Sequence, residues 1–487
     1  MSPEVALRPR LELLGPGDVE RVVGEALQLL VEPGATVASR EAADLLAGVG
    51  AQVAGTTVRI PEQVVRDGLA TVPRAFDLHD RDGRPAVRYG SGTVHFDPGS
   101  CGVKVLDPET LDRRASTADD LVRIVKVAEM LPAYAAQSTA VICSDVPAEI
   151  GDLYRLFLVL LHSSKPIVTG SFQAAGTNRM IELLAIDAGG PAALASRPRA
   201  VFDVCPSPPL TWSEFGARNL IDLARARVPA EIVSMPLAGA AAPVTLVGSI
   251  VQHAAECLSG IAIHQLAGPG APIVWGGAPA ILDMRTGSTP MGAIETAMLN
   301  AGCAQVGRSL GLPTHGYLAA SDAKIVDAQA GLETGIGAVV GILAGIDLIS
   351  GAGLLDFLLC QSAEKLVIDA DAIGMAQRLG RGLDLSTGTL AVETFAQLAN
   401  GDFLGLPETR NLFRREQFLP SPVIDRLSDE AWRQAGSTDT FARARQRAAQ
   451  LVSDYQPPAI NPDVRSELLD RVRGLAEEAG LAVLPGT

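Results

Sequence analysis

The strongest constraint in this sequence is a rhythm that begins near residue 116. Strand-like and helix-like runs alternate from there to about residue 369, each pair taking roughly 30–45 residues. The strand-like runs are AYAAQSTAVI (133–142), PIVTGS (166–171), AVFDVCPS (200–207), AEIVSMPLAG (230–239), PIVWGGAP (272–279), PTHGYL (313–318), DLISGAG (347–353) and KLVID (365–369). Several are short and apolar on both faces, the pattern of a buried parallel sheet. Helical runs separate them: 152–164, 175–189, 211–227, 245–266, 291–310 and 323–345, with 116–130 ahead of the first. Eight such units over about 260 residues predict an α/β fold, a (β/α)8 TIM barrel. A doubly wound open sheet is the alternative, but no Gly-x-Gly-x-x-Gly follows an early strand.

On either side the rhythm is lost. Residues 1–115 read as an α+β extension with helices at 17–32, 39–49 and 59–73, the last with Pro61 at its first helical position. Short hairpin strands follow over 75–97. Residues 116–380 hold the barrel. Residues 381–487 are more charged and predict amphipathic helices packed on its outside or at a subunit interface, so a homo-oligomer is expected.

The net charge of −15 argues against nucleic acid as a partner and favours cationic ligands. Aromatic residues make up only 4%. The six cysteines are scattered singly, without zinc-ligand spacing, and read as reduced thiols of a cytoplasmic protein. No signal-peptide core opens the chain, and the most apolar stretches are interrupted by polar residues, so neither secretion nor a membrane span is expected.

A TIM barrel carries its chemistry at the C-terminal strand ends. Those ends supply Gln137, Ser138, Gly170, Cys205, Met235, Gly276, Gly277, His315, Tyr317, Gly351, Gly353 and Asp369. The densest polar stretch is PTHGYLAASDAKIVDAQAGLE (313–333). A helix starting near Ser321 would set Asp322, Val326, Gln329 and Glu333 on one face. Asp322, His315 and Glu333 are therefore the candidates for a chemical role; a capped, solvated helix is the competing reading. His253 and His264, inside a long helix, read as packing groups. The loop 278–295 adds Asp283, Glu295 and Arg285, either an ion pair on the rim or a clamp for a carboxylate. The turn HFDPGSCG (95–102) places Phe96 and Asp97 as a possible lid, or as a plain hairpin turn. Nucleophile-elbow, P-loop and HExxH templates are absent, and no metal site is expected. A reaction needing little help from protein acids, bases or metals fits best.

Three sets of residues carry a family resemblance. They are the runs 243–287 and 321–353, the run EKLVIDADAIGMAQRLGRGLD (364–384), and the flanking pieces at 59–83, 96–124 and 401–420. Together they resemble the trimethylamine methyltransferase superfamily over nearly the whole chain. The resemblance implies a TIM barrel that moves a methyl group from an amine to the cobalt of a corrinoid carried by a separate protein. With only standard residues, the chain resembles the branch without pyrrolysine, whose members act on quaternary amines such as glycine betaine, proline betaine or carnitine. The cation would then be met by Trp275, Tyr317 or Phe96 with Asp97, Asp322 and Glu333. Its carboxylate would want Arg285, Gln137 or Ser138, and Gln329 lies nearby. Gly170, Gly276, Gly277, Gly351 and Gly353 would face the corrinoid. Two other readings stay open: a barrel that binds quaternary amine or corrinoid without turnover, and a pterin-linked methyltransferase using Asp203 and Asn300.

Overall fold

The computed structural model describes residues 9–173, 175–384, 391–398 and 401–487. Eight strands form its centre: β1 (His95–Pro98), β2 (Gln137–Ser138), β3 (Ile167–Thr169), β4 (Ala200–Val204), β5 (Ala230–Ser234), β6 (Ile273–Gly277), β7 (His315–Tyr317) and β8 (Leu348–Ala352). Strands β2 to β6 run side by side in parallel. Trp275 of β6 bridges to Thr314, just ahead of β7, and its N–H donates to the carbonyl of Pro313. Strand β7 pairs in parallel with β8, and β8 with β1. Ala135, at the approach to β2, donates its N–H to Phe96 of β1 at 2.9 Å, completing the circuit.

Each strand is followed by a helix: α1 (Ala118–Met130), α2 (Gly151–His162), α3 (Gly176–Ala188), α4 (Glu214–Ala226), α5 (Leu246–Ala267), α6 (Ile294–Ser309), α7 (Ala328–Ala344) and α8 (Ala363–Gly380). The (β/α)8 architecture expected from the rhythm is present, but one strand is not where the rhythm puts it. The run 365–369 lies inside α8. Ser362 caps that helix by accepting from the Lys365 N–H, and Lys365 and Asp369 pair one turn apart. Asp369 is therefore no strand end. The missing strand is β1, in the segment read as a hairpin turn, so the barrel draws a strand from before residue 116. A four- or five-residue apolar run is compatible with either state, and here the cap decides.

Two other boundaries move. Asp327 caps α7 by accepting from the N–H groups of Gln329 and Ala330, so the helix starts at Ala328 and not near Ser321. Pro61 is the N-cap of the helix Glu62–Thr71, one position before its first residue.

The N-terminal helices Pro16–Val31, Arg40–Ala47 and Glu62–Thr71 pack on α5. Helix α5 is long and apolar enough to cross a membrane by length and composition, yet it is sandwiched between barrel and extension and buried along most of its length. Its His253 donates from Nε2 to the Gly276 carbonyl at 3.0 Å, and His264 is equally buried, so both are packing groups. In the tail, Thr440–Asp454 packs on α1 and α8, and Pro462–Glu478 on α2 and α3. The hairpin Phe76–His79 and Pro85–Tyr89 plugs one end of the barrel. Its Leu78, Val87 and Tyr89 meet the inward side chains Val168, Val201, Val274 and Leu348. Each fully buried valine or leucine there contributes about 1.5–3 kcal/mol.

Candidate active site

Side chains alternate along a strand, so the parity of that apolar plug layer dictates what points inward next. Two residues beyond Val201 comes Asp203; two beyond Leu348 comes Ser350. Strand β5 contributes Glu231, β7 contributes His315 and Tyr317, and β1 contributes Asp97. These groups form one connected set. The His315 Nε2 lies 2.8 Å from Ser350 Oγ, which donates to Asp97 Oδ1 at 2.6 Å. On the other side of the ring, His315 Nδ1 contacts Glu231 Oε1 at 2.5 Å. Tyr317 donates its hydroxyl to Asp203 Oδ2 at 3.1 Å and lies 2.9 Å from Ser100 Oγ. The rings of His315 and Tyr317 meet edge to face. Gly276 makes room for Glu231: a Cβ there would stand 2.8 Å from its Cγ.

The electrostatics follow from enclosure. Burial raises the Asp97 and Glu231 carboxyls well above the ordinary range. Burial, then the neighbouring Glu231, pushes Asp203 up to about 8. Burial lowers His315 to about 4, with Asp203 opposing the shift. Asp203 is the member that solvent reaches, deep in the mouth of the ring. No cation stands among them, and burial favours the uncharged form of each. Hydrogen-bond accounting then assigns their protons. Ser350 gives its only hydrogen to Asp97, so His315 donates from Nε2 and its bare Nδ1 faces Glu231 Oε1. The result is a hydrogen-bonded chain from His315 through Ser350 to Asp97, with Glu231 against the other nitrogen of the ring.

Of the residues singled out from sequence, Asp97, His315 and Tyr317 are in this set, and Ser138 points across the end of β1 to the Gly99 carbonyl. Phe96 and Gln137 point outward, Gln137 donating to the Val125 carbonyl of α1. Trp275 also points outward, donating from Nε1 to the Cys303 carbonyl of α6. Asn300 sits in α6 behind β7, bonded to Thr296 and Pro279, so it does not join Asp203 as a pterin pair. Gly277 abuts His253, and Gly353 abuts Gln361 with a left-handed φ of 81°. Gly351 (φ 133°) is pressed against the Leu318 carbonyl, and Gly170 lies beside Asp203.

The 313–333 stretch mainly braces the rim. Asp322 accepts from the N–H groups of Met291 and Gly292 at 2.8 and 2.9 Å. Glu333 accepts from Ser321, the Asp322 N–H and Gln329. Arg285 pairs with Asp283 at 2.7 Å, and that hydrogen bonding holds Asp283 at about 2. These side chains line a separate rim groove of about 730 Å³, with Lys324 lying 3.7 Å from the centre of the Phe357 ring. Glu231 and Ser350 were not singled out. Their signal is an acid or hydroxyl in the middle of an otherwise apolar strand, which needs a partner or a purpose.

A family model described as trimethylamine methyltransferase (MTTB) matches residues 2–480. The chain belongs to the trimethylamine methyltransferase family. It is 31% identical to trimethylamine methyltransferase MttB of Methanosarcina thermophila over 91% of this chain and 93% of that one. It is 28% identical to the protein of that name from Desulfitobacterium hafniense (94% and 92% covered). It is 27% identical to glycine betaine methyltransferase of D. hafniense strain Y51 (97% and 99% covered). Among solved structures, the hydroxylamine complex of MtmB superposes with a TM-score of 0.52 at 13% identity, covering 89% of this chain and 87% of that one. That likeness concerns the fold alone. The chain is a methyltransferase of this family, and its barrel interior sets three acids, Asp97, Asp203 and Glu231, beside His315.

Proposed function

We propose that this chain transfers a methyl group from a small quaternary amine to the cobalt of a corrinoid held by a separate protein. The observation that carries the reading is the trio Asp97, Asp203 and Glu231 inside the ring, faced by one imidazole that burial keeps neutral. Such a site stabilises a cation strongly, because the carboxyls it ionises lie in a low-dielectric enclosure. A quaternary ammonium cannot donate a hydrogen bond, so it needs charge and enclosing surface more than directed partners. Tyr317 offers an aromatic face beside Asp203. The departing tertiary amine is neutral and needs no acid from the protein, which agrees with the lack of a charged general acid here.

The rim fits a corrinoid in its chemistry: Phe172 and Met235, beyond β3 and β5, are 54% and 42% exposed and offer apolar surface. When bound there, a corrinoid supplies the cobalt nucleophile. The chain's own contribution is to hold the ammonium, orient one methyl toward the mouth and exclude water.

The test combines the protein with reduced cobalamin, free or on a corrinoid protein, and with glycine betaine, proline betaine, carnitine or trimethylamine. The expected result is methylcobalamin absorbance with at least one quaternary amine. Failure with every amine in both cobalamin formats overturns the reading, and tight binding of a quaternary amine without any transfer would replace it with a non-catalytic binder.

A further inference from the structure

Arg155 is a buried cation whose pairing with its one carboxylate neighbour, Asp152, is long. Its side chain is 1% exposed, and the nearest carboxylate oxygen, Asp152 Oδ1, stands 3.5 Å from Nη2. The other Asp152 oxygen is already taken by Ser171 Oγ and the N–H groups of Phe172 and Gln173. Among the described residues Arg155 Nε has no partner. Burying a guanidinium this incompletely matched is costly, unless an anion completes it.

Its position says which anion. Arg155 arises at the start of the second turn of α2, and its head reaches over the C-terminal strand ends. Nη1 donates to the Thr139 carbonyl just past β2 at 2.9 Å and lies 3.8 Å from Cys101 Sγ just past β1. The exposed Phe172 ring, just past β3, covers the guanidinium at 5.3 Å. Cys101 follows Ser100, which contacts Tyr317, which donates to Asp203. The carboxyls that would ionise on meeting a cation, Asp97, Asp203 and Glu231, thus lie on one side, and a fixed positive charge sits above β1 to β3.

We infer that Arg155 is the specificity residue for the anionic end of the ligand, taking the carboxylate of a zwitterionic amine whose ammonium lies among the three buried acids. This rests on the proposed quaternary-amine reading and adds to it a residue that selects zwitterions over plain cations. Arg285 does not fill that role, being paired with Asp283 on the outer rim.

The test is calorimetric binding of glycine betaine and of tetramethylammonium to the full-length protein and to Arg155→Met and Arg155→Lys. The wild type should prefer glycine betaine. Arg155→Met should weaken glycine betaine by about 10- to 100-fold, the range for a charge-assisted hydrogen-bonded pair, and leave tetramethylammonium unchanged. Should Arg155→Met fail to fold, Arg155→Lys carries the test: it keeps the charge, loses the planar fork, and should weaken glycine betaine alone. Equal losses for both ligands, or no loss for glycine betaine, make Arg155 a tie between α2 and β2 and overturn the inference. A wild type that binds both ligands equally overturns it while leaving the proposed function standing; a wild type that binds neither overturns the inference, and the methyl-transfer panel then decides the proposed function.

Discussion

Cation binding should be linked to proton release, and tetramethylammonium is the probe that isolates the effect, since it carries no titrating group. Asp203 must ionise to meet the cation, yet its carboxyl is held up at about 8. At pH 6 about 1% of that carboxyl is ionised and at pH 8 about half. If Asp203 alone is coupled, affinity should therefore rise about 50-fold between those pH values, about 2.3 kcal/mol. The sign for stability is opposite. A carboxyl whose folded value is raised contributes stability that is complete below its unfolded value near 4 and is lost as pH rises toward 8. The cation-free protein should thus unfold more easily across that window, and tetramethylammonium should restore it most at the alkaline end. The assay is titration calorimetry at pH 6, 7 and 8 in buffers of different ionisation enthalpy, which counts protons directly. Asp203→Asn should flatten the affinity profile and weaken binding most at pH 8. A wild-type affinity independent of pH, or an unchanged slope in Asp203→Asn, would refute the placement of the cation among these acids.

Two further substitutions separate framework from site. Trp275→Ala should lower stability by about 3–5 kcal/mol in denaturant unfolding while leaving tetramethylammonium affinity intact, because the indole fills the space between β6 and α6 on the outer side. Lys365→Met should cost about 3–5 kcal/mol by stranding the buried Asp369, which Lys365 meets at 2.6 Å beside Thr334; adding Asp369→Leu should recover most of that loss.

Local pattern was enough to determine most of the barrel. Seven ring strands fall within the strand-like runs of the sequence, and several, such as β3, β4 and β6, are short and largely apolar, the trace a buried parallel strand leaves. Net charge and the missing catalytic templates pointed toward a cationic ligand, and the spread of family-like motifs along the whole chain pointed to the methyltransferase family. What tertiary structure alone decided is the eighth strand and the direction each side chain faces. The segment HFDP begins inside the stretch whose alternation suggests hairpin strands, and nothing local assigns it to the barrel; it becomes β1 because β8 and the approach to β2 supply its partners. Parity then sorts the candidates: a one-residue shift sends a side chain to the opposite face, so Asp97 points in and Phe96 out, Ser138 in and Gln137 out. The bond between Ser350 and Asp97 joins positions 253 residues apart. No spacing rule reaches that far, since only closure of the ring brings those two strands side by side.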